Sequence, residues 1–194
     1  MASSFYFMSL YLQRVLGHGA ALTGTMFLPF ALGVVAGSFL AVKLGYRLAP
    51  RTLLVAGGLL AAAGFAWFGM ISSDGAFGTD VLGPSIVASV GFGLCLAPVV
   101  SIATAGVAAR ETGTASALLN SSRQIGASLG LAALGTAAQH RGGDVPTPQA
   151  LNSGYALGLT LGAALLAAAA LVAFTVLPRT APPSRPSRST TATR

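Results

Sequence analysis

Five runs of mostly apolar residues, each at least 20 residues long, take up most of this chain, and a shorter run precedes them. The long runs are 22–44, 52–71, 81–109, 113–138 and 154–177; the short one is 5–16. A bilayer's hydrocarbon core is about 30 Å thick, so a helix needs roughly 20 apolar residues to cross it. Each long run meets that length. The short one extends only about 18 Å at ~1.5 Å per residue. Barrel strands are excluded, because they are about 10 residues long with period-two alternation. The pattern predicts an all-α polytopic membrane protein with five full transmembrane helices and a truncated first one. The bundle fills 1–177. The remainder, 178–194, is rich in Pro, Ser, Thr and Arg and is expected to be a disordered basic tail.

Composition agrees with a lipid solvent: 54% of residues are hydrophobic and 8% charged, against about 25% charged in soluble domains. The net charge of +7 raises the question of nucleic acid, and its distribution answers it. With the C-terminus in the cytoplasm, the inner side holds Lys43, Arg47, Arg51, Arg110, Arg179, Arg185, Arg188 and Arg194, and the outer side holds Arg14 and Arg141. That asymmetry is the positive-inside bias, so no nucleic-acid partner is expected. The expected location is the plasma membrane, multi-pass, with both termini cytoplasmic. The start of the chain does not read as a signal peptide. Run 5–16 is either re-entrant or the outer half of a helix whose inner half lies in a longer protein, and the second reading is preferred.

Within the runs, glycine and proline set the local geometry. Gly33 and Gly37 form a G-x-x-x-G step that lets a neighbouring helix approach closely. Pro98 is expected to kink the run 81–109. Lys43, Gly45 and Arg47 lie in the basic turn KLGYRLAPR. Outer loops are expected at 17–23, 72–80 and 139–153, placing His18 in the first and His140 in the last.

The segment 113–138 (GTASALLNSSRQIGASLGLAALGTAA) carries the candidate site. At 100° per residue, Ser116, Asn120, Arg123, Ala127 and Gly130 share one stripe, while Leu118, Ile125 and Leu129 lie opposite. The polar stripe must face protein or a water-filled cavity. An arginine near the midplane costs about 2.5–3.5 kcal/mol on insertion scales. Arg123 is therefore either a substrate contact, a clamp between helices, or a side chain that snorkels to the interface. Asn120 and Gln124 are either substrate-pathway groups or interhelical hydrogen-bonding groups.

What the runs lack narrows the chemistry. None contains Asp, Glu or His, and Arg123 does not change protonation near neutral pH, so no proton relay is visible in this chain. No G-x-x-x-x-G-K-[ST] loop occurs. Neither a metal cluster nor a catalytic constellation is visible, and Cys95 is a lone thiol. No cofactor is expected, and no enzymatic activity.

The segments SLYLQRVLG (9–17), TGTMFLPFALGVVAGS (23–38) and TASALLNSSRQIGASLG (114–130) resemble the last six helices of a major facilitator superfamily transporter, and more narrowly its fourteen-helix drug:proton antiporter branch. The resemblance covers about 5–177 and rests most on Asn120, Arg123, Gln124 and Gly126. It implies that the turn at Lys43, Gly45 and Arg47 is a degenerate copy of the superfamily's inner-loop motif, with Val42 where an acid is expected. It also implies two six-helix bundles with substrate bound between them. The family's coupling acid lies in the portion absent from this sequence. The implied function is the C-terminal portion of a proton-coupled multidrug exporter, incomplete alone. Its partners would be the lipid bilayer, a missing N-terminal bundle and an amphipathic or cationic small molecule, with Asn120, Arg123 and Gln124 on the pathway. A homodimeric half-transporter and a non-transporting scaffold or remnant remain as alternatives.

Overall fold

The structure, a computed structural model, describes residues 2–15, 17–70, 81–142 and 148–177. Among them the ordered elements are helical. Helix α1 (Ala2–Leu10) runs into a wider π-helical turn, Tyr11–Val15. Then come α2 (Ala20–Met26), α3 (Leu28–Gly45), α4 (Pro50–Phe68), α5 (Gly83–Ala103), a 3-10 turn (Ala109–Glu111), α6 (Thr112–Gly142) and α7 (Pro148–Val176).

Several boundaries differ from the sequence expectation, each for a local reason. The run 22–44 begins two residues earlier and is interrupted at Phe27. Pro29 sits at the start of α3, where it cannot donate a backbone hydrogen bond and would crowd the carbonyl four residues back. The chain responds with a turn in which Phe27 N–H bonds Gly24 O at 3.2 Å. The run 52–71 is helical over Pro50–Phe68, and Ile71 lies outside the described residues. The run 81–109 is not one long helix: α5 stops at Ala103. A turn through Gly106, whose φ of 78° favours glycine, ends it before the 3-10 turn. The loop expected at 139–153 is largely helix, since α6 continues through Gly142 and α7 starts at Pro148. His140 therefore sits in the last turn of α6. The rest of that loop, the whole loop at 72–80 and the tail 178–194 fall outside the described residues.

Four helical stretches among the described residues are long and apolar enough to cross a membrane: Ala20–Gly45, Pro50–Phe68, Gly83–Ala103 and Ala150–Val176. Helix α6 is not one of them, although its 31 residues would extend about 46 Å. It has the length for the expected fifth full span but not the composition. Ser116, Asn120, Ser121, Ser122, Arg123, Gln124 and Ser128 interrupt its apolar content.

Helix α5 is the centre of the packing, with α3 on one side and α4 on the other; α7 packs on α4 and on α6, and α1 fits against α6 and α7. Small residues make this possible. A Cβ at Gly57 would lie 2.8 Å from Gly91 O and 2.9 Å from Leu94 Cβ, and one at Gly64 would lie 2.7 Å from Ala88 Cα. On the other side, Gly33 faces Ser89, and Gly37 meets Gly93, where a Cβ would be 3.0 Å from the Gly93 Cα. The core is aromatic: Phe7, Tyr11, Phe30, Phe65 and Phe68 are all buried, and Phe65 meets Phe92 edge-on with ring centroids 5.8 Å apart.

At the other end of the bundle from Gly142, Arg51 in the first turn of α4 donates to the carbonyl of Phe174, near the end of α7. Its guanidinium also lies 4.7 Å from the centre of the Phe174 ring. A cation is favoured at a helix C-terminus because the last carbonyls lack intrahelical donors. Lys43, in the last turn of α3, occupies the equivalent place on that helix.

Two outcomes follow from this packing. Gly93→Leu should force α3 and α5 apart and destabilise the bundle by about 1–3 kcal/mol or more, read as a lower melting point and loss of monodisperse protein in detergent. Gly130→Leu, where a Cβ meets open space, should leave both unchanged. Arg51→Gln should also lower the melting point, through a loss of the ~0.3–1 kcal/mol of stability typical of a cation at a helix end, and Arg51→Lys should recover part of it.

Candidate functional site

The large cavity of the bundle lies where α6 stands away from α5. Helices α4 and α7 bridge the gap, leaving about 690 Å³ between them and α1. Its walls are mostly apolar: Phe65 from α4, Phe92, Leu96 and Val99 from α5, Leu165 and Leu166 from α7. The polar groups come chiefly from α6, whose Arg123 and Gln124 line the cavity beside Gly126, Ala127 and Gly130. Cys95 adds a thiol, whose S–H points to Leu54 O at 3.6 Å.

The glycines of α6 are unlike those of α3, α4 and α5. A Cβ at Gly126, Gly130 or Gly135 would have nothing within 4 Å. These residues keep the cavity wall low rather than letting two backbones meet. Leu118, Ile125 and Leu129 are 68%, 59% and 66% exposed, and the polar residues Ser116, Asn120, Arg123 and Gln124 are exposed as well, so α6 is covered by this bundle along little of its surface.

Of the residues singled out from the sequence, the structure brings Arg123 and Gln124 together at the cavity wall. Asn120 is exposed and does not line the cavity. Gly33 and Gly37 sit at the α3–α5 contact, away from it. Lys43 and Gly45 lie in the last turn of α3 and Arg47 in the turn before α4, with Lys43 and Arg47 exposed. Among the described residues, no carboxylate faces Arg123; Glu111 pairs instead with Arg110 at 3.5 Å. A guanidinium in this setting is a donor of up to five N–H groups to whatever occupies the cavity. No group of three or more His, Cys, Asp or Glu among the described residues is placed to hold a metal ion.

The aromatic walls were not singled out from the sequence. Phe65 and Phe92 stand in runs that read as uniform apolar spans. A signal was present in Gly162, which interrupts an Ala/Leu stretch of α7. A Cβ there would lie 3.0 Å from the Phe65 ring, so that glycine marks where the ring is seated.

A large, mainly apolar cavity with few polar groups, set between membrane helices, is a ligand-binding architecture. The sequence profile of the Major Facilitator Superfamily matches residues 1–131. The chain belongs to that superfamily. Among its relatives, the puromycin resistance protein of Streptomyces alboniger is 35% identical over 185 residues, covering 89% of this chain and 37% of the relative. The cephamycin export protein of Amycolatopsis lactamdurans is 35% identical over 182 residues, covering 92% of this chain and 37% of the relative. A multidrug efflux pump of Mycolicibacterium smegmatis is 31% identical over 173 residues, covering 88% and 34%. The chain thus spans little more than a third of the length of these major facilitator relatives.

If the cavity of this major facilitator chain is open to solutes, its single cysteine reports on it. Ala127→Trp should fill the cavity and strongly slow alkylation of Cys95 by a maleimide, whereas Leu129→Trp, on the outward face of α6, should leave the rate unchanged. Quantitative mass spectrometry of the labelled chain reads both.

Proposed function

We propose that this chain is the C-terminal six-helix portion of a multidrug-type exporter of the fourteen-helix drug:proton antiporter branch. In this reading it works only with an N-terminal bundle that supplies the proton-coupling acid. Substrate, an amphipathic or cationic small molecule, binds between the two bundles near the midplane, and access alternates as they rock. Both termini lie in the cytoplasm and the protein resides in the plasma membrane.

The observation that carries this reading is the state of α6. Its polar residues, Ser116, Asn120 and Arg123 among them, are exposed in this chain, and its composition falls short of a membrane-spanning helix. Polar groups facing hydrocarbon are costly, so α6 needs another polypeptide beside it. The names of the relatives, each concerned with resistance or export, support the transport part of the reading. Arg123 and Gln124 are then pathway groups at the cavity wall, and Asn120 contacts the second bundle.

Co-expression with the matching N-terminal bundle tests this directly. Efflux of a fluorescent cationic dye should require both parts and should stop when a proton uncoupler is added. Arg123→Ala should then reduce the rate about tenfold, equivalent to ~1.4 kcal/mol, with Arg123→Lys intermediate. Efflux from this chain alone would favour a homodimer. A protein that reaches the membrane yet supports no efflux in either case would favour a scaffold.

A further inference from the structure

A second, smaller cavity lies further along α6 from the first. It has a volume of about 150 Å³ and is lined by Tyr6, Phe7, Arg14, Gln139 and Tyr155, with Leu10, Leu151 and two small residues of α6. Gln139 is 16 positions beyond Arg123, or roughly 24 Å along the helix. The buried ring of Phe7 lies between the two aromatic hydroxyl bearers. Its centroid is 5.4 Å from that of Tyr6 and 6.0 Å from that of Tyr155. The guanidinium of Arg14 comes from the π-helical turn and lines the cavity together with Tyr155. Wide turns of this kind re-aim side chains and are frequent at functional sites.

We infer that this cavity is a binding site for a small carboxylate attached to a flat apolar body, held by Arg14 and Tyr155. Arginine carries five N–H donors in a planar fork, enough to serve the Tyr155 hydroxyl and a second acceptor at once. A carboxylate is the acceptor whose shape matches that fork. The aromatic rings supply an apolar wall, and the Gln139 amide adds a further donor. Among the described residues no carboxylate lines the cavity. Glu111, the acid among the described residues, is paired with Arg110 beyond the opposite end of α6. Arg141, in the last turn of that helix, adds to the positive field. Cationic ligands are repelled here, whatever the large cavity accepts.

Three ligands of one shape separate charge from apolar fit. Binding of benzoate, neutral benzamide and cationic benzamidine to the full chain in lipid nanodiscs would be read by saturation-transfer NMR. Benzoate should bind about tenfold or more tightly than benzamide, the scale of a hydrogen bond to a charged group, and benzamidine should not bind. Arg14→Gln should erase the benzoate preference, Arg14→Lys should restore part of it, and Tyr155→Phe should weaken benzoate binding. Circular dichroism and size exclusion check that each variant is folded. If Arg14→Gln does not fold, the Lys and Phe variants decide. Equal binding of benzoate and benzamide, or benzoate binding unchanged by folded Arg14 and Tyr155 variants, would overturn the assignment. So would loss of benzoate binding in Ala127→Trp, because the ligand would then occupy the large cavity beside Arg123. Binding is read without transport, so failure of export leaves this outcome separate.

Discussion

The bundle rests on α5 coming within backbone reach of two helices at once. In lipid there is little hydrophobic gain from bringing helices together, because the acyl chains are as apolar as the side chains they replace. Close van der Waals contact has to supply the association instead. Gly33, Gly37 and Gly93 provide it on the α3 side, and Gly57, Gly64 and Gly91 on the α4 side. With α3, α4 and α5 locked by backbone contact, α7 is seated through α4, and α6 is held mainly by α7. The cavity exists because that chain of contacts brings α6 against α5 only over a short stretch.

The two faces of α6 follow from the same arrangement. A helix gripped along one edge is free to present different chemistry on the others. Leu118, Ile125 and Leu129 point away from the cavity, and Arg123, Gly126, Gly130 and Leu134 line it. Major facilitator proteins place ligands between packed bundles. A wall made of one loosely held, polar helix facing a rigid three-helix block suits that task, since the rigid block sets the shape and the looser helix supplies the donors.

Much of this was legible in the residues. The lengths of the apolar runs follow from what lipid tolerates, and the polar character of Arg123 and Gln124 amid apolar residues pointed to the helix that lines the cavity. The G-x-x-x-G step at Gly33 and Gly37 follows from the need for close approach. What escaped depends on partners distant in sequence. Nothing around Phe65 or Phe92 marks them as cavity walls, because the cavity is defined by the absence of α6 on that side. The break at Phe27 was implicit in Pro29, yet proline at the start of a helix and proline within one look alike until the next turn is placed. Gly106 ended α5 early because only the backbone conformation reveals a left-handed glycine. Asn120 shares the stripe of Arg123 by angle, but it stands one turn nearer the start of α6, beyond the reach of the cavity.

The bond between Arg51 and the carbonyl of Phe174 joins residues 123 positions apart in the chain. A ribosome adding about 5–20 residues per second delivers Phe174 several seconds after Arg51. Until then Arg51 has no helix end to bind, and α4 has no neighbour on the side that α7 will cover. This bond can form only after the cavity-lining residues from Phe65 to Leu166 have been synthesised. It ties the end of the last helix to the start of α4 and so closes a loop of covalent chain that contains every cavity wall from α4 to α7.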